Sequence, residues 1–150
     1  MQWSIKKFHE LTNDELYEIL QKRVDVFVVE QECAYKEIDG HDRVAYHLYA
    51  HNGSEIAAYL RVLPPGTTYE ALSIGRVLVD KNHRKEGLGS ELLKNALTFI
   101  HKELKESVVK IQAQHHLLSF YGSFGFEQIS EVYLDEGIPH IDMIFLKVDL

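Results

Sequence analysis

Residues 73–104 read SIGRVLVDKNHRKEGLGSELLKNALTFIHKEL. Ser73 to Val79 is apolar and β-branched, the composition of a buried strand. Leu88, Leu92, Leu93, Ala96, Leu97, Ile100 and Leu104 recur at helical spacing and give one apolar stripe. Between strand and helix lies Arg84-Lys85-Glu86-Gly87-Leu88-Gly89. A helix N-terminus offers unpaired N–H groups and about half a positive charge. Gly87 and Gly89 let a ligand approach the backbone without meeting a Cβ, and Arg84 and Lys85 add full charges. Together these form a cradle suited to phosphate or pyrophosphate. No Gly-Lys-Ser/Thr follows, so this is not a Walker A loop, and the third glycine of the dinucleotide fingerprint is missing.

The rest of the chain bounds the function. Its 150 residues, 45% of them hydrophobic, suit a single domain with one core across residues 1–150. No apolar run is long enough to span a membrane, so no membrane partner is expected. The opening MQWSIKKFHELTNDEL lacks the apolar centre of a signal peptide. The single cysteine, Cys33, fits a reducing compartment, and a cytoplasmic protein is expected. A net charge of −7 argues against nucleic-acid binding, which needs a basic face.

Taken in order, Trp3 to Phe8 alternates as a first strand. Thr12 and Glu15 make a capping box, with Leu11 and Leu16 as its hydrophobic staple, so a helix starts there. Val24 to Gln31 predicts a second short helix or a bent continuation. Cys33 to Arg43 is polar and acidic, with a turn at Asp39-Gly40, and is expected to be a mobile loop. Ala45 to His51 and Ile56 to Leu63 form a hairpin around Asn52-Gly53, and Pro64-Pro65-Gly66 stops its second strand. After the long helix, Val108 to Gln112 predicts a strand parallel to Ser73–Val79 through a right-handed crossover. Leu117 to Phe124 reads as a short helix capped at Gly125, and Gln128 to Leu134 and Ile141 to Val148 as two closing strands. The order is that of an α/β chain with a mixed sheet.

The loop at Arg84–Gly89 resembles the R-x-x-G-x-G element of the GNAT N-acetyltransferases. A second match, HLLSFYGSFGF from His116 to Phe126, is similar to the helix that carries that family's tyrosine, here Tyr121, four residues before Gly125-Phe126. The element order matches too, and VFVVEQECAYKEIDG, LPPGTTYEALSIGRVLV and EGIPHIDM resemble the ElaA-like branch. The resemblance implies a GNAT fold: a twisted, mostly antiparallel mixed sheet, a parallel central strand pair, and helices on both faces. It implies an acetyltransferase that moves the acetyl group of acetyl-coenzyme A directly to a small-molecule or peptide amine in a ternary complex. Arg84, Lys85, Glu86, Gly87, Leu88, Gly89 and Ser90 would hold the pyrophosphate. Backbone groups of Val77, Leu78 and Val79 would hold the thioester, and Gln114 would supply a further cofactor contact. Tyr121 would protonate the departing thiolate. The chain departs from the family pattern at Lys81, where a proline is common, at Lys85, where a glycine is common, and at Gln114, where an asparagine is common. The alternative is a GNAT-like module that binds coenzyme A or a metabolite without chemistry. The chain is expected to work alone or as a homodimer.

Other constellations read less sharply. From composition alone Tyr121 reads as a core tyrosine with a bonded hydroxyl, since Phe120, Phe124 and Phe126 surround it in sequence, and only the resemblance reverses that reading. His47 and His51 share a strand face, but four residues at about 3.3 Å each put them roughly 13 Å apart, too far for one metal. No compact His/Cys/carboxylate cluster is evident, so no metal is expected. Glu30, Glu32 and Glu37 put negative charge around Cys33, which disfavours a thiolate nucleophile there. Glu30 and Glu37 could instead draw an amine toward a closing loop, or simply be solvated. The general base stays open among Glu30, His47 and His116.

Overall fold

A computed structural model of the chain describes residues 1–53 and 55–147. Val148, the expected end of the last strand, lies outside the described residues. The elements are β1 (Gln2–Lys7), α1 (Asn13–Val24), β2 (Tyr46–His51), β3 (Ile56–Leu63), β4 (Leu72–Val79) and α2 (Leu88–Lys102). They continue as β5 (Val108–Gln114), α3 (Leu118–Gly122), β6 (Glu127–Gln128), β7 (Tyr133–Asp135) and β8 (Ile138–Leu146). The strands form one sheet in the order β1-β2-β3-β4-β5-β8-β6, with β7 also on β8. β4 and β5 are parallel and every other pair is antiparallel. That is the expected mixed sheet with a parallel central pair.

Each face of the sheet has its own helix. On one face the apolar stripe of α2, Leu88, Leu92, Leu93, Ala96 and Ile100, packs on Leu48, Leu60, Val62, Ile74, Val109 and Ile111. On the other, Ile19 of α1 and the following Val26 pack on Tyr49, Ile56, Tyr59 and Leu78. The strand period of two explains the split, since successive residues of β2, β3 and β4 serve opposite cores. α1 does not end at Val24. It widens into a single π-helical stretch over Asp25–Glu30, so the bent continuation is the form the chain adopts.

Thr12 caps α1 as expected. Its hydroxyl accepts from the Glu15 N–H at 3.1 Å, and the Glu15 carboxylate accepts from the Thr12 N–H at 2.8 Å. Glu15 also accepts from Lys6 Nζ and from the Tyr49 hydroxyl, each at 2.7 Å. Burial pulls its pKa upward, but these donors prevail and hold it at about 2, below the ordinary 4.5. A depressed carboxylate stabilises the fold above its unfolded pKa, and that stability is lost as pH falls toward 2. We expect Glu15→Gln to cost about 1–2 kcal/mol at neutral pH, as for hydrogen bonds to a partly exposed charge. Urea titrations of wild type and variant should converge between pH 4.5 and 2. A constant difference across that window would mean that Glu15 contributes only packing.

Two expectations need correction. The Cys33–Arg43 stretch is fastened by buried charge. Arg23, fully buried on α1, donates from Nε to Glu37 Oε2 at 2.7 Å and from Nη1 to Asp42 Oδ1 at 2.6 Å. Arg61 of β3 donates to Asp39 at 2.5 and 2.9 Å and to Asp42 at 3.0 Å, while Arg76 of β4 donates to Glu37 at 2.7 Å. Three arginines therefore face three carboxylates beneath a segment that has few apolar anchors of its own. The second correction concerns the strand predicted over Gln128–Leu134, which is broken into β6 and β7. Four residues, Ile129–Val132, stand against two, Ile141 and Asp142, between the Gln128–Met143 and Tyr133–His140 pairs. Within the break the Ser130 hydroxyl takes the Asp142 N–H at 2.8 Å, a side chain replacing a ladder bond.

Candidate active site

β4 and β5 run together only where they begin. Leu72 pairs with Val109 and Ser73 with Lys110, and no later pair joins them. β5 instead keeps its other edge on β8 throughout, from Val108–Leu146 to Gln114–His140. β4 meanwhile carries a bulge. Tyr59 of β3 faces Leu78 and Arg61 faces Gly75, so Arg76 and Val77 share the place opposite Leu60. Arg76 takes φ +54°, and the bulge bends the strand. The wedge between the parted strands opens into a cleft of about 640 Å3.

Tyr121 is carried to this cleft by α3, which follows the turn at the end of β5. It is 5% exposed, and its ring meets Phe120 and Phe126 edge-on. Its hydroxyl makes no hydrogen bond to any described residue, unlike the bonded hydroxyl expected of a core tyrosine. Burial alone pushes the phenol up to about 12, so it stays protonated across the physiological range.

Seven of the residues expected to contact a cofactor line the cleft: Val77, Leu78, Val79, Arg84, Gly89, Gln114 and Tyr121. Gly89 sits in the first turn of α2, where a Cβ would lie 3.7 Å from the Phe120 ring and 3.8 Å from Val79 Cγ2. Lys85, Glu86, Gly87, Leu88 and Ser90 are not among the lining residues. Leu88 turns into the core, Lys85, Glu86 and Ser90 are exposed, and Gly87 supplies the left-handed turn, φ +78°, that starts the helix. Arg84 is engaged within the protein. Its Nε donates to the Val79 carbonyl at 3.1 Å, and its two Nη atoms clasp the Glu30 carboxylate at 2.8 and 2.9 Å.

That clasp bears on the base. The hydrogen bonds from Arg84 hold the Glu30 carboxyl below its usual range, so it is a poor proton acceptor. Glu37, tied to Arg23 and Arg76, is not free to attract an amine. His47 is corrected outright. It is fully buried away from the cleft, its Nε2–H donates to the Asp42 carbonyl at 3.0 Å, and Nδ1 accepts from the Tyr59 hydroxyl at 2.7 Å. Burial pushes its pKa down. His116 does line the cleft, on the turn after β5.

Sequence reasoning missed the polar floor of the cleft on the face opposite α2. Tyr69, Ser73, Gln112, Asp135 and His140 all line it. Its signal was alternation: Gln112 and Gln114 alternate with the buried Ile111 and Ala113, and His140 and Asp142 with the buried Ile141 and Met143. Among the described residues, one group has metal-type spacing, Glu55, Asp80 and His83. Its cation is already present: Lys22 Nζ lies 3.0 Å from Glu55 and 2.9 Å from Asp80.

Residues 10–147 match the family model described as an acetyltransferase (GNAT) domain. The chain is 39% identical over 145 residues to protein ElaA of Escherichia coli, covering 95% of each. The chain belongs to the GNAT acetyltransferase family. A UPF0039 protein of Synechocystis is 38% identical over 144 residues, covering 95% of this chain and 94% of the relative. The crystal structure of a Pseudomonas aeruginosa acyl-CoA N-acyltransferase superposes with a TM-score of 0.91 at 41% identity, covering 97% of this chain and 99% of that one. The Escherichia coli ElaA structure gives 0.88 at 39% identity, covering 96% and 98%. The GNAT match spans both walls of the cleft, β4 and β5, as well as α2 and α3. No helix among the described residues is long and apolar enough to cross a membrane.

Proposed function

We propose that this GNAT protein transfers the acetyl group of acetyl-coenzyme A to an amine held on the polar floor of the cleft, with both substrates bound together. The observation that carries the reading is Tyr121: a buried, protonated phenol that lines the cleft and makes no hydrogen bond to any described residue, where a departing sulfur would meet a donor. Its pKa of about 12 lies above the ordinary thiol value of about 8.5. Tyr121 would therefore act as a hydrogen-bond donor to the developing thiolate, handing over its proton only as another replaces it on the phenol. The first turn of α2 and Arg84 would hold the pyrophosphate, and the cleft-side edge of Val77–Val79 would hold the thioester carbonyl. Cytoplasmic location and a choice between monomer and homodimer belong to the same proposal.

The test combines calorimetry with acetyl-coenzyme A and a panel of amines assayed for free coenzyme release. Gly89→Val is the informative variant. Gly89 has an ordinary helical backbone and room for a Cβ, so the added methyls act on the cleft wall. Gly87→Val would mix binding with backbone strain at φ +78°. We expect Gly89→Val to weaken acetyl-coenzyme A binding by about tenfold or more, about 1.4 kcal/mol. Arg84→Ala should lose less, because Arg84 must give up Glu30 to take a phosphate, and its loss should shrink at high salt. Unchanged affinity in folded Gly89→Val would remove the pyrophosphate from this helix. Binding without transfer to any amine would leave a coenzyme-binding module.

A further inference from the structure

The geometry points to His140 as the general base that takes a proton from the acceptor amine, an inference that rests on the acyl-transfer reading above. His140 lies on β8, directly opposite Gln114 at the end of β5 and opposite Tyr133 on β7. It lines the cleft at the point where β5 has parted from β4. Its Nδ1 lies 2.6 Å from the Ile138 carbonyl. A carbonyl only accepts, so Nδ1 carries the hydrogen and Nε2 carries the lone pair. Nε2 makes no hydrogen bond to any described residue. The ring is held in place by that bond and by Tyr133, whose ring lies 28° from parallel at 6.4 Å. A fixed tautomer with an unbonded lone pair, on a residue that lines the cleft, is what a base requires.

The two faces of the sheet separate the two proton tasks. On β8 and β5 the neighbours Ile141, Met143, Ile111 and Ala113 turn into the α2 core, the side that also holds Tyr121. His140 and Gln114 alternate with them and turn to the opposite face. An amine that attacks from the floor would meet His140, while the sulfur would leave toward Tyr121. The ammonium gives one proton to Nε2, and the freed lone pair bonds to the thioester carbonyl carbon. The adduct expels sulfur with the C–S electron pair. The second N–H proton leaves the new amide nitrogen, and sulfur gains one through Tyr121. His140 releases its proton to solvent, so the sum is amide, thiol and one proton. The other candidates lack part of this: Glu30 is clasped, His47 is sealed, and His116 is exposed with no partner among the described residues to orient its ring.

The ionisable groups on the neighbouring elements are Tyr133 and Asp135 on β7, Glu136 in the turn, Asp142 on β8, Lys110 on β5 and His116 beyond it. The test leaves all of them intact. His140→Gln and His140→Asn are compared with wild type for acetyl-coenzyme A affinity, and for kcat/KM from pH 6 to 10 on an active alkylamine. We expect both variants to bind acetyl-coenzyme A as wild type does, and to lose about 10²–10⁴ in kcat/KM near neutrality. The loss should shrink as pH rises toward the amine's own pKa, where the amine arrives already neutral. Near-normal kcat/KM at pH 7 in variants that bind acetyl-coenzyme A, or a loss of equal size at every pH, overturns the assignment. A wild-type protein that acetylates no amine overturns the acyl-transfer reading instead. If neither variant binds acetyl-coenzyme A, His140 serves the scaffold and the assignment falls.

Discussion

Tyr121→Phe is expected to lower turnover by about 10²–10⁴ while leaving acetyl-coenzyme A affinity nearly unchanged. The phenyl ring keeps its edge-on contacts with Phe120 and Phe126, so α3 should stay where it is. Only the hydroxyl goes, and no described residue relies on it for a hydrogen bond. Stability should therefore hold, or rise slightly, because a buried polar group is removed. The combination is diagnostic: a loss in kcat with binding and melting temperature preserved marks an interaction made only in the transition state. Steady-state kinetics beside a thermal melt reads it. Near-normal turnover in the folded variant would leave thiolate departure to water, without disturbing the family assignment.

Arg23→Leu should be the most damaging single change to stability, costing about 3–5 kcal/mol. The guanidinium is 0% exposed and serves Glu37 and Asp42 through different nitrogens. Its removal leaves two carboxylates short of a partner in a place that water does not reach. Arg61 and Arg76 cover part of the deficit. Lysine should not rescue, since a single ammonium cannot reproduce the fork. Urea denaturation gives the loss, and hydrogen exchange should show 33–43 protected in the wild type and open in the variant. A cost below about 1 kcal/mol would mean that the cluster behaves like a surface ion pair.

The sequence made the element order and the central motif plain for a local reason. The α2 stripe, the Thr12–Glu15 box and the Asn52-Gly53 turn each involve residues a few positions apart, and local rules cover them. The charge cluster was illegible because its partners are distant: Arg76 meets Glu37 across 39 positions and Arg61 meets Asp39 across 22. Nothing in the acidic run Glu30–Asp42 says which carboxylate is solvated and which is clasped. Hence Glu30 and Glu37 read as candidates to meet an amine, when arginines already hold both. His47 failed similarly, since a strand histidine gives no sign of which face is sealed. At the loop the sequence pattern treats Gly87 and Gly89 alike, but of the two only Gly89 lines the cleft. The difference lies in the left-handed backbone at Gly87, which a sequence pattern does not reveal.

The short parallel seam between β4 and β5 has one more consequence. Past Ser73 the inner edge of β4 has no neighbouring strand among the described residues, so apart from the Val79 carbonyl, which accepts from Arg84 Nε at 3.1 Å, its amides and carbonyls face the gap. Main-chain groups are common to all residues except proline, which lacks the N–H. Exchanging side chains at 77–79 would therefore leave any recognition through the main chain intact, and an alanine scan of binding would pass over it. The floor beneath consists of side chains and can be rewritten freely. On the acyl-transfer reading, a protein built this way can change its acceptor through ordinary substitutions while the backbone's share of the grip on the donor stays out of their reach.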